Sequence, residues 1–168
     1  MIYFDTIAAQ CAPYVAVSTL RALASVESSF NPHAIGVVGG RLQRQPKNLL
    51  EAISTAKALQ AKGIKFSAGL GQIYVQNWSA YDLDYEKVFD PCANLRAAQG
   101  ILGNCYRRAS FKSEDAQVAL RKAFSCYYSN NFITGFNEGY VQKVIAASQK
   151  EFEASASTSA RHGQINGN

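Results

Sequence analysis

The sequence predicts a single, mainly α-helical domain with one small β element, an α+β fold. A chain of 168 residues has the length of one domain and can bury its own hydrophobic core. Apolar segments rich in Ala and Leu recur along the chain, as helices require. One stretch rich in β-branched residues and glycine separates the first two of these helical segments, and it favours strands and a turn.

Five segments are expected to be helical, after a short apolar segment over residues 3–12. The first is the clearest, because it is almost wholly apolar and the residues before Pro32 end it. Asn48 is placed to cap the second, and Gly63 to close it. Ser113 is expected to cap the fourth, with acidic residues in its first turn. The helical segments are residues 14–26, 49–62, 93–109, 113–128 and 138–152.

The non-helical stretch over residues 35–46 is expected to form a short β-hairpin. Its β-branched residues flank Gly39 and Gly40, which suit a tight turn between two strands. A second glycine-rich segment follows at residues 67–75. Most of the chain is therefore helical, with the β element near the end of the first helix.

The composition changes at Ala154, where small and polar residues take over. Such a segment buries too little apolar surface to offset the entropy of ordering it. The sequence therefore predicts a folded domain over residues 1–153 and a disordered tail over residues 154–168.

The chain has a formal net charge of +5 and a pI near 9.1, which suits a polyanionic partner or simply good solubility. Its basic residues are spread out and accompany no nucleic-acid motif, so no nucleic-acid partner is expected. No apolar run approaches the roughly 20 residues of a membrane-spanning helix. The first residues do not resemble a signal peptide, so the protein is expected to be either cytoplasmic or a mature form.

Four cysteines leave two interpretations open. They contain no Cys-x-x-Cys pair, and the two histidines add no zinc pattern, so no metal site is predicted. The four are either two disulfides in an oxidising compartment or buried free thiols. Three pairings are possible, and the sequence itself does not choose among them.

Glu27 ends the apolar helical segment, in which Arg21 is the only other charge. Burial there would disfavour the charged carboxylate and raise its pKa, making a proton donor available near neutral pH. The alternative is a solvated glutamate at a helix C-terminus, where negative charge is slightly unfavourable. Taken alone, the position favours the solvated alternative, since most glutamates are exposed.

The residues around Glu27 form part of a longer pattern. In order, the chain has Glu27-Ser-Ser-Phe-Asn-Pro-His-Ala34, Gly69-Leu-Gly-Gln-Ile73, Ala123-Phe-Ser-Cys-Tyr-Tyr-Ser-Asn130 and Tyr140-Val-Gln-Lys-Val144. This order resembles the lysozyme-like lytic transglycosylases, with their Glu-Ser-x-Phe-x-Pro-x-Ala, Gly-Leu-Met-Gln, Ala-x-Ala-x-Tyr-Asn-Ala-Gly and Tyr-Val-x-x-Val motifs. The resemblance covers roughly residues 3 to 150. It implies a lysozyme-like domain with a small β-hairpin beside the catalytic helix.

One branch is more similar still, the VirB1-like transglycosylases of type IV secretion systems. They carry an Ile-Gly-Val-Val hairpin, a Glu-Ala-x-x-x-Ala-x-x-Leu helix and an Asp-Pro-Cys-x-Asn segment. Here these are Ile35-Gly-Val-Val38, Glu51-Ala-Ile-Ser-Thr-Ala-Lys-Ala-Leu59 and Asp90-Pro-Cys-Ala-Asn94. The resemblance implies local opening of the cell wall for assembly of a secretion or conjugation apparatus.

The implied reaction uses one carboxyl group on the peptidoglycan bond between MurNAc and GlcNAc. Glycosidases ordinarily need two, but no Asp or Glu lies between Glu27 and Glu51. Glu27 would protonate the glycosidic oxygen and then, as a carboxylate, take the proton of the MurNAc C6 hydroxyl. The product is a 1,6-anhydro end, formed without metal or cofactor.

The resemblance also implies a set of substrate-binding residues. Gln72 would hydrogen-bond the substrate, with its flanking glycines letting the backbone approach the sugar. Tyr127 would place its hydroxyl close to the Glu27 carboxyl, unless it packs in the core. Ser28 would bind a neighbouring loop or the sugar N-acetyl group. The full set is Ser28, Gly69, Leu70, Gln72, Ile73 and Tyr127.

Two departures from the family pattern are expected to affect the substrate groove without abolishing activity. Gly71 stands where the family has Met, and Tyr128 and Asn130 stand where it has Asn and Gly. Gly69 and Gly71 fit an ordinary turn equally well. Candidate aromatic platforms for sugar rings are Tyr74, Tyr81 and Trp78, the last more typical of a core residue.

The resemblance implies a periplasmic protein whose signal peptide is absent from this chain, with disulfides Cys11–Cys92 and Cys105–Cys126. Expected partners are peptidoglycan strands and other channel proteins of the secretion system. Two other functions stay open. One is a hydrolytic muramidase or chitinase-like enzyme with a second acid such as Asp82 or Asp84, and the other is a non-catalytic module that binds channel proteins.

Overall fold

The computed structural model describes residues 2–111 and 115–163. The helices are α1 (Ile2–Cys11), α2 (Val17–Ser28), α3 (Leu49–Ala61), α4 (Pro91–Ser110), α5 (Ala116–Ser129), α6 (Thr134–Asn137) and α7 (Tyr140–Gly163). The strands are β1 (Ile35–Val37), β2 (Phe66–Ala68) and β3 (Ile73–Tyr74), followed by 3₁₀ helices over Val75–Tyr81 and Lys87–Phe89. The predicted mainly α fold with a small β element is confirmed.

The β element is a three-stranded antiparallel sheet in the order β1-β2-β3. Ile35 lies opposite Ala68, which lies opposite Ile73 on the next strand. The hairpin expected within residues 35–46 is therefore wrong, since β1 pairs with a strand that follows α3. The side-chain amide of Gln45 instead bonds the backbone of Ile35, accepting from its N–H at 2.8 Å and donating to its carbonyl at 2.9 Å.

Side-chain caps set the start of several helices. Asn48 caps α3 as predicted, its side-chain oxygen accepting from the N–H of Glu51 at 3.0 Å. The cap predicted for α5, Ser113, lies outside the described residues. Asp115 performs that role, accepting from the N–H of Val118 at 2.9 Å. This bond satisfies an amide that the first helical turn leaves unpaired.

Helix pairs enclose the core. α4 packs against α5 and α1, and α2 packs against α7. Trp78 is buried, with its ring edge-on to Phe66 and its indole N–H donating to the carbonyl of Ile73 at 3.0 Å. Trp78 is therefore a core residue rather than an exposed platform for sugar.

Both disulfides pair as the resemblance implied. Cys11–Cys92 joins α1 to α4, and Cys105–Cys126 joins α4 to α5. The first spans 81 residues and the second 21, so the first restricts the unfolded chain more. Since α4 carries one cysteine of each bond, it is tied covalently near both ends.

The last helix is longer than the sequence predicted. The backbone of α7 is helical as far as Gly163, ten residues into the segment expected to be disordered, and residues 164–168 lie outside the described part. The division of the chain at residue 153 stays a prediction. In the described ranges, the helices lack a stretch with the length and apolar character needed to cross a bilayer.

Candidate active site

A cleft of about 1000 Å³ contains Glu27 in its lining. Its other walls come from β1, the segment from Gln72 to Tyr81, α4 and the end of α5. Glu27 lies in the last turn of helix α2, at the edge of the cleft. The helix ends one residue later, where Ser29 adopts a left-handed conformation with φ of +50°. The carboxyl therefore lies where an apolar helix stops at an open groove.

The Glu27 carboxyl is held in a site that favours its neutral form. Burial raises its pKa from 4.5 to about 7, although a hydrogen bond from the Tyr140 hydroxyl to Glu27 Oε1 acts in the opposite direction. Desolvation is the larger effect because an ionised carboxylate loses more hydration than one donor restores. A carboxyl whose pKa is raised toward neutrality can donate a proton near neutral pH and, once ionised, accept one.

Tyr140 is itself held by a second tyrosine. Its ring is buried and stacks on the ring of Tyr128, with centroids 4.5 Å apart and planes at 17°. The Tyr128 hydroxyl donates to Glu138 Oε2 at 2.7 Å. Stacking of this kind restricts ring rotation, so the Tyr140 hydroxyl has a fixed direction toward Glu27.

The sequence predicted that the Tyr127 hydroxyl lies close to the Glu27 carboxyl; in the structure, the hydrogen bond to that carboxyl comes from Tyr140. The Tyr127 hydroxyl donates to the carbonyl of Gly71 at 2.6 Å. Burial raises its pKa well above 10, and the charge of Glu27 adds to this. Tyr127 is thus near Glu27 and lines the cleft, but its hydroxyl is engaged with the backbone of the neighbouring loop.

Residues 69–72 form a tight loop around the buried side chain of Asn94. The Asn94 side-chain oxygen accepts from the N–H of Gly71 at 2.7 Å, and its nitrogen donates to the carbonyls of Ala68 and Val88. Gly69 has φ of +81°, and a Cβ there would lie 2.0 Å from the Asn94 nitrogen. The glycines of this loop therefore permit close packing against the protein, and the approach of the backbone to a sugar stays a prediction.

Gln72 lines the cleft at the end of this loop, with an uncommon left-handed backbone at φ of +48°. Its amide nitrogen donates to the carbonyls of Ala34 at 3.0 Å and Gly69 at 2.9 Å. A Cβ on Gly36 would lie 2.7 Å from the Gln72 side-chain oxygen. The amide is therefore clamped in one orientation beside β1, as a preformed binding group would be.

The remaining predicted residues divide between support and lining. The Ser28 hydroxyl donates to the carbonyl of Leu70 at 2.8 Å, so of its two predicted partners it meets the neighbouring loop. Leu70 is buried in a small apolar cluster with Leu20 and Leu95 and does not line the cleft, and neither does Gly69. Ile73 is buried but borders the cleft.

Glu27 is the only carboxyl group among the described residues that line the cleft. Asp82 forms an exposed ion pair with Lys87 at 2.8 Å. Asp84 accepts from the backbone N–H groups of Glu86 and Lys87. Neither lies in the cleft, so the described part of the chain does not place a second acid opposite Glu27. Nor does that part bring together three His, Cys, Asp or Glu side chains able to hold a metal ion.

Comparison with known proteins identifies the family of this chain. Residues 5–152 match the transglycosylase SLT domain. The chain belongs to the transglycosylase SLT family. It is 52% identical over 153 residues to the type IV secretion system protein virB1 of Brucella abortus, covering 88% of this chain and 64% of that protein. It is 36% identical over 149 residues to protein virB1 of Agrobacterium fabrum, covering 88% of this chain and 60% of that protein.

This SLT chain thus spans less than two thirds of the length of these relatives. No solved structure matches it. The similarity to VirB1 proteins inferred from the three branch motifs is confirmed, as is the assignment to the wider transglycosylase family.

The departures of this SLT chain from the usual motifs have a physical explanation in two cases. Asn130, in place of Gly, ends α5 in a left-handed conformation with φ of +57°, which asparagine tolerates better than most residues. Tyr128, in place of Asn, supplies the ring that stacks on Tyr140. At Gly71, a Cβ would lie 2.8 Å from the Tyr127 hydroxyl, so a methionine here would need a different packing.

Two residues that shape the site of this SLT domain, Tyr140 and Asn94, were not among the site residues expected from the sequence. Tyr140 belongs to the last of the ordered motifs and Asn94 to the Asp-Pro-Cys-x-Asn segment. A polar residue among the apolar positions of α4 was an available signal for Asn94, because a buried amide requires partners. Tyr140 is 113 positions from Glu27, and no local pattern links them.

Proposed function

We propose that this domain is a lytic transglycosylase that cleaves the β-1,4 bond between MurNAc and GlcNAc of peptidoglycan. The observation that carries the proposal is the state of Glu27. It is the only carboxyl among the described residues of the cleft, with a pKa of about 7. An acid so poised serves as both donor and acceptor without a second carboxylate.

The reaction proceeds in two proton transfers. Protonated Glu27 donates to the glycosidic oxygen, the bond to MurNAc C1 breaks, and positive charge develops at C1. The Glu27 carboxylate then takes the proton of the MurNAc C6 hydroxyl while O6 bonds C1. The ring closure yields a 1,6-anhydroMurNAc end and a free GlcNAc end, consumes no water and returns Glu27 to its protonated form.

The neighbouring residues take supporting roles. Tyr140 orients the carboxyl, since its hydroxyl contacts Glu27 directly. Gln72, Ile73 and Tyr127 line the cleft and contact the glycan strand there. Ser28, Gly69 and Leu70, which the sequence placed among the binding residues, act instead by shaping the loop that carries Gln72.

The role in secretion rests on the relatives. Proteins named virB1, one of them described as a type IV secretion system protein, share the domain over most of this chain. On this basis, the enzyme acts in the periplasm, opens the wall locally for a secretion or conjugation apparatus, and meets other channel proteins there. The excess of positive charge favours attraction to an anionic wall.

The test is digestion of purified sacculi by the wild type and by Glu27→Gln, followed by mass analysis of the products. We expect wild-type products with anhydro ends and at least a hundredfold lower rate for the variant, the order of a lost general acid and base. Glu51→Gln is the matched control, because Glu51 pairs with Arg44 outside the cleft. It should cleave at the wild-type rate.

The same digestion separates the alternatives. Hydrolysis by a muramidase leaves reducing ends, one water heavier than anhydro ends. Predominant reducing ends would therefore contradict the single-carboxyl mechanism. Cleavage by neither protein would favour a non-catalytic module that binds channel components.

A further inference from the structure

Arg108 is the only cationic side chain among the described residues that line the cleft. It projects from α4 and is exposed. The described part of the chain forms no ion pair with it. Among the described residues, the cleft thus presents one acid, Glu27, and one cation, Arg108, that is not paired with a carboxylate.

Neutral groups hold the Arg108 guanidinium in place. One of its terminal nitrogens donates to the Asn130 side-chain oxygen at 3.1 Å and lies 3.5 Å from the sulfur of Cys126. The guanidinium carbon lies 5.4 Å from the centre of the Phe132 ring. Cys126 is bonded to Cys105 on the same helix as Arg108. These contacts restrict the side chain while leaving its charge available.

The fork of a guanidinium matches a carboxylate. Arginine has five N–H donors, and the contacts above engage only one of its nitrogens. The planar fork can therefore still form two parallel hydrogen bonds to a carboxylate, which add to the charge attraction. A ligand that carries a carboxylate near the cleaved bond would complete the pairing.

Peptidoglycan has carboxylates in two places near that bond. In strands that carry stem peptides, the peptide supplies them. In strands stripped of peptide, the lactyl ether of MurNAc ends in a free carboxylate. The sugar rings themselves are uncharged, so a cation in the cleft distinguishes these substituents from the glycan backbone.

We infer that Arg108 binds a carboxylate carried by MurNAc or its stem peptide, and makes the cleft selective for anionic strands. This inference rests on the proposed function, since it concerns the substrate of the same cleft.

The test compares three strand preparations: peptide-bearing strands, peptide-free strands with the lactyl carboxylate, and peptide-free strands whose lactyl carboxylate has been converted to a neutral amide. Arg108→Gln should raise KM about tenfold on the anionic strands that Arg108 recognises, with kcat nearly unchanged, as expected for the loss of a charge-assisted hydrogen bond. On the neutral strands the variant should match the wild type. An effect confined to peptide-bearing strands identifies the stem peptide as the source, and an effect on peptide-free strands identifies the lactyl group.

Arg96→Gln is the matched control. Arg96 lies on the same helix and also approaches a disulfide sulfur at 3.5 Å, that of Cys92, but does not line the cleft. Arg108→Lys should retain part of the affinity because it keeps the charge without the fork. Equal KM changes in Arg96→Gln, or an equal change on neutral strands, would overturn the inference.

Binding measurements keep this test independent of cleavage. The dissociation constants of the three preparations are measured with Glu27→Gln and with Glu27→Gln combined with Arg108→Gln. Weaker binding of anionic strands by the double variant supports the inference even if the wild type fails to cleave. Equal binding by both proteins contradicts it, whatever the fate of the proposed reaction.

Discussion

Two groups of residues contact the end of α2, and they are held by different forces. The glycine loop, residues 69–72, receives a hydrogen bond from Ser28 and is fixed by the buried amide of Asn94. The tyrosine pair, Tyr128 and Tyr140, is fixed by ring stacking and contacts the Glu27 carboxyl. The glycine loop contains only neutral groups, whereas the tyrosine pair faces a carboxyl that titrates.

The glycine loop therefore fixes the shape of the site, whereas the tyrosine pair affects the protonation of Glu27. In the glycine loop, neutral hydrogen bonds and close contacts fix the position of Gln72, and their loss should appear mainly as lost stability. In the tyrosine pair, one hydroxyl changes the pKa of Glu27, and its loss should appear mainly in the pH dependence of the reaction. The following substitutions test this division.

The largest effect is expected in the glycine loop, from Gly69→Ala. Its new Cβ would lie 2.0 Å from the Asn94 nitrogen and 2.3 Å from the carbonyl oxygen of Val88, at a φ of +81°. We expect the free energy of unfolding to fall by about 3 kcal/mol or more, from overpacking and backbone strain together. Chemical denaturation measures this loss.

Gly63→Ala is the control for that substitution. Gly63 also has a positive φ, +67°, but nothing lies within 4 Å of a Cβ there. Only backbone strain remains, and the expected loss is about 1 kcal/mol. Equal losses in the two variants would show that the contacts with Asn94 are unimportant.

Glu27→Gln is expected to change the free energy of unfolding by a similar amount, but to increase it. A carboxyl with a pKa of 4.5 when solvated and about 7 when folded stabilises the fold below pH 4.5. It loses up to about 3 kcal/mol of that contribution as the pH rises through 7. The variant does not titrate, so between these pH values its stability should rise relative to the wild type. Denaturation curves at pH 4 and pH 8 measure the change.

The control is Glu51→Gln, because the pKa of Glu51 is lowered by its hydrogen bond with Arg44 and by the N–H of Lys47. Its contribution to stability is present at neutral pH and lost in acid. Relative to the wild type, this variant should be less stable at neutral pH and equal to it in strong acid. If Glu27→Gln behaved in the same way as Glu51→Gln, the Glu27 site would not favour the neutral carboxyl.

The smallest effect on stability, and the clearest on pH dependence, is expected for Tyr140→Phe. Its hydroxyl lowers the pKa of Glu27, so its removal should raise that pKa and move the basic limb of the cleavage profile to higher pH. The rate should fall about tenfold, because the carboxyl loses the group that orients it. Cleavage rates measured across the pH range test both effects.

Tyr127→Phe completes that comparison. Its hydroxyl bonds the Gly71 carbonyl, so its removal should weaken the glycine loop and leave the position of the pH profile unchanged. If the pH profile of cleavage shifted in Tyr127→Phe and not in Tyr140→Phe, Tyr127 rather than Tyr140 would be the residue that orients the Glu27 carboxyl, as the sequence predicted.

Most of the fold follows from local features of the sequence. Asn48 caps α3 because its side chain reaches an amide only three residues away. The apolar helix that ends at Glu27, and the absence of acids before Glu51, indicated a lone carboxyl before any contact was known. The order of the motifs was enough to assign the family, whereas the sequence left three cysteine pairings open and the structure shows Cys11–Cys92 and Cys105–Cys126.

The tertiary structure alone decided which distant groups meet. It paired β1 with β2 across α3 instead of within a hairpin, directed Tyr140 rather than Tyr127 to the Glu27 carboxyl, and placed Asn94 inside the glycine loop. Each of these contacts joins segments far apart in the chain. Their geometry depends on how whole helices and strands pack. The sequence by itself determined that a lone carboxyl ends an apolar helix, whereas tertiary packing determined that Glu27 is buried, with a raised pKa, and which groups assist it.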